Sequence, residues 1–234
     1  MTTILLHGFW GQPMDWNPVL ARLPLAAEVW APDLYDGGPL SPAHVLEKWT
    51  SSFINEVSAR YREKVQLVGY SMGGRLAASA WAAAPQLFAR GLLLSAAPVT
   101  PQFDPSEREA WERQWVAKFL SEPWEQLELE WQEQPVFSGS ALCPRRRSVA
   151  LRAMLGLSLL HWSPRQHGFG SAEVKAWPAT LDYAFGALDQ KYLGVAKMLQ
   201  ELPVKGQIGV IPNSGHRLIA DAPGHVADWI VGGG

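Results

Sequence analysis

The chain has 234 residues, of which 47% are hydrophobic and 18% charged, and its formal net charge is −2. This composition excludes a disordered chain, and the length allows one sizeable core with an insertion. A net charge so close to zero gives no electrostatic case for nucleic-acid binding. No window approaches the ~18 apolar residues of a membrane span, and the first residues lack the apolar stretch of a signal peptide. We therefore expect a cytoplasmic protein with neither a nucleic-acid nor a membrane partner.

Short apolar runs recur along the chain, each followed by turn residues and then by a helical pattern. Because these runs do not alternate polar and apolar residues, they predict strands that are covered on both faces, as in a parallel sheet. The predicted strands cover 2–7, 27–32, 65–70, 91–96, 181–186 and 207–212. The predicted helices cover 14–23, 43–62, 72–84, 191–201 and 223–231. This alternation predicts an α/β fold with a mostly parallel, doubly wound sheet.

One interval, 100–175, contains no strand-like run and is rich in Trp, Glu and Arg at helical spacing. Five of the twelve tryptophans lie between positions 111 and 162. We predict a helical lid here, inserted over the carboxyl edge of the sheet, with the core formed by 1–99 and 176–234. Within the lid, the single cysteine, Cys143, excludes an internal disulfide, and the basic run 145–147 is typical of a solvated helix face.

The segment LVGYSMGG places Ser71 between glycines, after a predicted strand and before a predicted helix. Gly69 to Gly73 fits the pattern G-x-S-x-G, in which a strained strand-to-helix turn presents a nucleophilic serine. The flanking glycines are needed because a Cβ at those positions would meet neighbouring backbone. The alternative is an ordinary turn whose serine caps the following helix.

A serine nucleophile needs a base, and the base needs an acid that orients it. Asp189 follows the predicted strand 181–186, and His216 follows the predicted strand 207–212. Taken singly, Asp189 could be a helix cap and His216 a loop residue. Taken with Ser71, they stand at the carboxyl ends of strands. The chain order Ser, Asp, His is the order that accompanies the G-x-S-x-G turn in hydrolases, so we predict a catalytic triad.

The loop after the first predicted strand, HGFWG, is where such folds supply one N–H of an oxyanion hole, and the residue after the nucleophile supplies the other. The expected donors are the amides of Phe9 and Met72, whereas His7 is expected to shape the loop. With these features the whole chain resembles the α/β-hydrolase superfamily. That resemblance implies a fold and not a reaction, since the fold hosts esterases, C–C hydrolases and lyases.

Three arginines point to the substrate. Arg75 lies one turn after Ser71, Arg108 shares a predicted helix face with Trp115 and Phe119, and Arg152 shares one with leucines. Any one of them could be an arginine whose stem is buried and whose charge reaches solvent. Together they indicate a pocket for a polyanion, because a guanidinium pairs bidentately with a carboxylate.

The segments LLHGFWG, LVGYSMGGR, ERQWVAKFLSEPW, EWQEQPVF, VALR and GALD…SGH resemble one family in particular. This is the family of 2-succinyl-6-hydroxy-2,4-cyclohexadiene-1-carboxylate synthase, of menaquinone biosynthesis. The resemblance implies that Arg75, Arg108 and Arg152 bind carboxylates and that Tyr70 and Trp131 line the pocket. After Arg152 the chain departs from the family, whose Asn/Gly-rich stretch is replaced by the shorter AMLGLSLL.

The resemblance also implies a lyase reaction on a small polycarboxylate. Ser71, activated by His216, would remove a proton alpha to the succinyl carbonyl, and pyruvate would be expelled without a metal or an organic cofactor. The first alternative is a serine carboxylesterase or C–C bond hydrolase, which the many tryptophans suit. The second alternative is a binding protein without activity, which would normally lack a residue of the triad.

Overall fold

A computed structural model describes residues 1–98, 104–143, 145, 147–169, 171–178, 180–202 and 204–232. The six strands are β1 Thr3–Leu6, β2 Val29–Trp30, β3 Val65–Tyr70, β4 Phe88–Leu94, β5 Leu181–Gly186 and β6 Ile208–Ile211. They form one sheet in the order β2-β1-β3-β4-β5-β6, and every neighbouring pair is parallel. The predicted α/β fold with a parallel sheet is thereby confirmed.

The helices in the described residues surround this sheet. They are α1 Asn17–Leu20, α2 Leu46–Arg60, α3 Met72–Ala83, α4 Pro105–Ser121, α5 Trp124–Gln132, α6 Val149–His161, α7 Ser171–Ala176, α8 Gln190–Glu201, α9 Leu218–Asp221 and α10 Pro223–Val231. The predicted helix 14–23 is instead a 3₁₀ turn, Pro13–Trp16, followed by the single turn α1. No described helix has the length and hydropathy that crossing a bilayer requires.

The strands are apolar throughout because both faces of the sheet are covered. Successive residues of β1 alternate between two hydrophobic clusters: Ile4 and Leu6 pack in the cluster that holds α2, α3 and α8. Leu5 packs in the other cluster, with α1, α9 and α10. Helices on both faces make the sheet doubly wound.

Between β4 and β5 the described residues form α4 to α7 and add no strand to the sheet. Aromatic side chains of this insertion pack on the loop after β1. The ring centroids of Trp131 and Phe9 are 4.5 Å apart, and those of Phe119 and Trp10 are 5.2 Å apart. The insertion therefore lies over the carboxyl edge of the sheet. Its assignment as a separate lid domain over 100–175 stays a prediction.

Candidate active site

Ser71 occupies the turn between β3 and α3 with strained backbone dihedrals, φ 53° and ψ −113°. A positive φ is uncommon for a residue with a Cβ and is concentrated at functional sites. A Cβ on Gly69 would clash with the carbonyl of Gly73, and one on Gly73 would clash with the carbonyls of Leu6 and His7. The two glycines thus allow β1, β3 and α3 to approach closely enough to form the strand-to-helix turn that carries Ser71.

The structure brings together the three residues that the sequence singled out. The Oγ of Ser71 lies 2.9 Å from Nε2 of His216, and Nδ1 of His216 lies 2.6 Å from Oδ2 of Asp189. Asp189 also caps α8, because its Oδ1 accepts the N–H of Tyr192 at 3.2 Å. A carboxylate only accepts, so Nδ1 of His216 is assigned the proton and Nε2 is left to accept from the Ser71 hydroxyl.

The imidazole of His216 is buried, and this sets its protonation. Burial lowers the pKa of His216 below its ordinary value, while the hydrogen bond and charge of Asp189 act in the opposite direction. The charges of Lys191 and Arg217 lower the pKa further. The geometry therefore supports a neutral imidazole at physiological pH that can accept a proton from Ser71.

Phe9 and Met72 both line the cavity beside Ser71. Within the part of the chain that the structure describes, neither of their backbone N–H groups donates to a protein acceptor. His7, in contrast, is fully buried: its Nδ1 is 2.9 Å from the Gly8 carbonyl, and its Nε2 accepts the N–H of Leu34 at 3.0 Å. Two free amides at a nucleophile match an oxyanion hole, whereas His7 holds the loop.

The cavity next to Ser71 and His216 combines aromatic walls with positive charge. Its aromatic lining consists of Phe9, Tyr70, Trp111, Trp131, Phe137, Trp162 and Tyr192. Its charged lining consists of Arg75, Arg108, Arg145 and Lys191. Among the described residues, no aspartate or glutamate lines it. Four cations without a carboxylate make a site for an anionic ligand.

Arg75 projects from the first turn of α3 into this cavity. Its Nη2 donates to the Trp162 carbonyl at 3.3 Å, and its Nε is buried without an acceptor among the described residues. Burial lowers the pKa of Arg75 to about 10, so the guanidinium keeps its charge at neutral pH. A buried cation with an unused donor is costly unless an anion joins it.

Arg108 is held by a buried carboxylate of its own helix. Its Nε donates to Oε1 of Glu112 at 2.7 Å, and its guanidinium lies 4.3 Å from the ring centroid of Trp111. Glu112 is fully buried and also accepts from Ser163 at 2.6 Å and from Arg165 at 3.2 Å. In the described part of the chain, the Nη atoms of Arg108 have no protein acceptor, so they remain available to a ligand.

Arg152 is at odds with its predicted role. Its Nη1 donates to the carbonyls of Phe119 at 2.6 Å and Glu122 at 2.9 Å, and its guanidinium lies 4.2 Å from the ring centroid of Trp124. It is not among the residues that line the cavity. The reason is that α6 packs on α4, which brings Arg152 to the unpaired carbonyls at the end of α4.

Residues 3–229 match the sequence profile of the alpha/beta hydrolase family. The chain belongs to this family. It is 30% identical over 234 residues to the 2-succinyl-6-hydroxy-2,4-cyclohexadiene-1-carboxylate synthase of Enterobacter sp. (strain 638), an alignment that covers 96% of this chain and 88% of the relative. It is 28% identical over 232 residues to the synthase of the same name from Klebsiella pneumoniae, with 95% and 89% covered. The family and these relatives identify the protein as an enzyme.

Solved structures share the fold of this alpha/beta hydrolase. MenH from S. aureus superposes with a TM-score of 0.84 at 17% identity, covering 99% of this chain and 92% of that one. The carboxylesterase CesB from Bacillus subtilis superposes with a TM-score of 0.71 at 16% identity, covering 98% and 82%. At such identities the likeness shows the fold alone.

Two cations of this alpha/beta hydrolase's cavity, Arg145 and Lys191, are absent from the residues predicted from the sequence. Arg145 belongs to the basic run that was interpreted as a solvated face, an interpretation that suits Arg147, which pairs with Glu125 and Glu128. Arg146 lies outside the described residues. The signal for Lys191 was its position two residues after Asp189. Among the described residues, no three His, Cys, Asp or Glu side chains are grouped to hold a metal ion.

Proposed function

We propose that this enzyme forms 2-succinyl-6-hydroxy-2,4-cyclohexadiene-1-carboxylate, the product for which its relatives are named, and that it does so by eliminating pyruvate from a larger precursor. One observation carries the proposal: four cations and no described carboxylate line the cavity that contains Ser71 and His216. The product, by its name, has two carboxylates, and the pyruvate that leaves carries a third. A neutral ester would leave these cations without a counter-charge.

In this reaction Asp189, His216 and Ser71 act as a base. Nε2 of His216 takes the Ser71 proton, and the Ser71 oxygen removes the proton alpha to the succinyl carbonyl of the substrate. The electron pair of that C–H bond moves through the ring and breaks the C–O bond to the three-carbon enol. The three-carbon enolate that leaves takes a proton at its methylene carbon and becomes pyruvate. Support comes from the distances of 2.9 Å and 2.6 Å that join the three side chains.

Negative charge develops on the succinyl carbonyl oxygen when the proton is removed. The amides of Phe9 and Met72 stabilise this oxygen, since both line the cavity beside Ser71 and neither has an acceptor among the described residues. Donors fixed before the reaction need no reorganisation, and each such donor typically contributes about 3–4 kcal/mol to the transition state. Tyr70 and Trp131, which line the same cavity, contact the substrate.

The test is an assay with the enzymatically generated precursor, in which pyruvate release and the ultraviolet change of diene formation are followed together. Ser71→Ala should lower kcat by a factor on the order of 10³ or more with an unchanged circular dichroism spectrum. Rapid hydrolysis of p-nitrophenyl acetate without pyruvate release from the precursor would replace this proposal by the carboxylesterase alternative.

The arginines make the test selective. Arg75→Ala and Arg108→Ala should each lose about 2–5 kcal/mol of transition-state stabilisation on the anionic precursor, because a carboxylate is left unpaired. Any turnover of p-nitrophenyl acetate should change little. The matched control is Arg113→Ala, which removes an exposed arginine outside the cavity from α4, the helix that carries Arg108. Equal losses on both substrates would mean that the two arginines only maintain the structure.

A further inference from the structure

Two cations at the cavity, Lys191 and Arg145, belong neither to the triad nor to the predicted carboxylate-binding set. Lys191 is the second residue of α8, whereas Arg145 lies between the 3₁₀ turn Pro135–Phe137 and α6. Among the described residues, neither forms an ion pair. Both therefore have a charge that is free to meet a ligand.

Lys191 lies at the same end of the cavity as Arg75 and Arg108. Desolvation lowers the pKa of the Lys191 ammonium, and the nearby guanidiniums of Arg108 and Arg75 lower it further. Tyr192, the next residue, places its ring centroid 4.8 Å from that of His216. Because the charges of Arg75 and Arg108 also act on the Tyr192 hydroxyl, the three cations lie together beside Tyr192.

Arg145 approaches from a different element. Its Nη1 donates to the Trp10 carbonyl, in the loop after β1, at 3.5 Å. Burial raises the pKa of Tyr70, and the guanidiniums of Arg217 and Arg145 act in the opposite direction, which places Arg145 near Tyr70. The ring centroids of Tyr70 and Phe137 are each 5.7 Å from that of His216. Arg145 therefore lines the cavity beside Tyr70 and the loop after β1.

We infer that Lys191 and Arg145 bind two different carboxylates of the substrate, Lys191 at the end of the cavity beside Tyr192 and Arg145 at the end beside Tyr70. This inference rests on the proposed function and deepens it, because it assigns two of the substrate's carboxylates to two separate groups of cations. Lys191 acts with Arg75 and Arg108, and Arg145 acts at the other end, in the carboxylate-binding role that the resemblance implied for Arg152. A ligand with one carboxylate satisfies only one end.

The inference predicts which ligands the free enzyme binds. The first probe is 2-succinylbenzoate, which has the two carboxylates of the product on a stable benzene ring. Two monoacids complete the set: 4-oxo-4-phenylbutanoate keeps only the succinyl carboxylate, and 2-butanoylbenzoate keeps only the ring carboxylate. Titration calorimetry gives Kd for each probe with the wild type, Lys191→Met and Arg145→Met. The controls are Lys197→Met on the same helix and Arg147→Met, whose guanidinium is paired with Glu125 and Glu128 outside the cavity.

Each cavity variant should raise Kd for 2-succinylbenzoate by about 10-fold or more, the effect expected for one charged hydrogen bond. Each should also bind one of the two monoacids as the wild type does, and the unaffected monoacid should differ between Lys191→Met and Arg145→Met. The Kd of each control variant for each probe should stay within about twofold of the wild-type value, which is the scatter of surface substitutions. Lys191→Arg should recover most of the affinity.

Three binding results would overturn the inference: no binding of 2-succinylbenzoate to the wild type, unchanged affinity in both cavity variants, or loss of the same monoacid in both. None of these measurements needs turnover. If the binding pattern holds while the wild type fails to release pyruvate from the precursor, the proposed function is wrong and the two-ended site remains. If pyruvate is released with an unchanged KM in both variants, the inference is wrong and the proposed function remains.

Discussion

At the scale of single residues, the imidazole of His216 has one nitrogen for each neighbour. Nδ1 faces the Asp189 carboxylate at 2.6 Å and Nε2 faces the Ser71 hydroxyl at 2.9 Å. Protonation of Nε2 would remove the only site that can accept the serine proton. The proposed reaction therefore depends on a neutral imidazole, and its rate should follow the titration of His216.

This dependence predicts a pH profile. Because burial lowers the pKa of His216, kcat/KM should be constant around pH 7 and should fall only when the pH drops through a value below ~6.5, the ordinary pKa of histidine. The measurement is kcat/KM between pH 4.5 and 8. A profile that is flat over this range would remove His216 from the mechanism.

Asp189→Asn should lower the rate by on the order of 10³–10⁴-fold, because the amide favours the wrong imidazole tautomer.

The three residues of the predicted triad, which the structure brings together, were readable from the sequence, whereas the set of cations was readable only in part. Ser71, Asp189 and His216 follow strands of a parallel sheet, and strand ends can be placed from apolar runs alone. Arg145 and Lys191 depend on where a side chain points from a loop or a helix start, which no periodicity encodes. A run of three arginines looks the same whether one of them enters a cavity or all face water.

At the scale of helices, the pair α4 and α6 shows how a helix can place a side chain away from the cavity that it was predicted to line. The helix face predicted to carry Arg108, Trp115 and Phe119 lies on α4, Pro105–Ser121. The face that Arg152 shares with Leu155 and Leu159 is also buried, but α6 meets α4 there, so Arg152 ends at backbone carbonyls. A helical wheel gives the direction of a side chain but not the partner that it meets.

Arg152 should therefore matter for stability and not for ligand binding. Arg152→Met should lower the free energy of unfolding by about 1.5–3 kcal/mol, the range for hydrogen bonds that involve a charged group. Its Kd for 2-succinylbenzoate should stay within about twofold of the wild type. Urea denaturation and calorimetry measure the two quantities. A stable variant that binds the diacid tenfold more weakly would restore the carboxylate-binding role predicted from the sequence.

Glu112 connects α4 with the turn after α6, and a sequence rich in surface glutamates does not single it out. Its carboxylate is fully buried and accepts from Arg108, Ser163 and Arg165. Removing one partner of such a buried network typically costs about 3–5 kcal/mol. Glu112→Gln should thus lower the stability by that amount and raise KM, because Arg108 loses the group that orients it.

The control for this prediction is Glu107→Gln, which changes an exposed glutamate of the same helix. Denaturation curves give the stability, and pyruvate release gives KM. If Glu112→Gln were destabilised with KM unchanged, Glu112 would hold the helices together without positioning Arg108. If neither quantity changed, the buried network would contribute nothing measurable.

At the scale of the whole molecule, the parallel sheet was predictable because it is buried on both faces, so each strand is an uninterrupted apolar run. The packing of the inserted helices on the loop after β1 was not predictable, since aromatic pairs such as Phe9 with Trp131 join segments more than 100 residues apart.

The core of the molecule also buries polar side chains. His167 is 4% exposed, its Nδ1 lies 3.2 Å from the Ser79 hydroxyl, and its Nε2 has no partner among the described residues.

Enclosed histidines make the stability of the molecule depend on pH. Burial, followed by the charge of Arg75, lowers the pKa of His167 well below 6.5. Below pH ~6.5 the unfolded chain takes up a proton at this residue while the folded chain does not, so stability is lost as the pH falls. The slope contributed by one such group approaches ~1.4 kcal/mol per pH unit. His167→Gln should make the free energy of unfolding less steep between pH 6.5 and 5 than it is in the wild type. Parallel curves of unfolding free energy against pH for the wild type and His167→Gln would mean that the folded protein takes up a proton at His167 as the unfolded chain does. The assignment of a neutral, buried His167 beside the Ser79 hydroxyl would then be wrong.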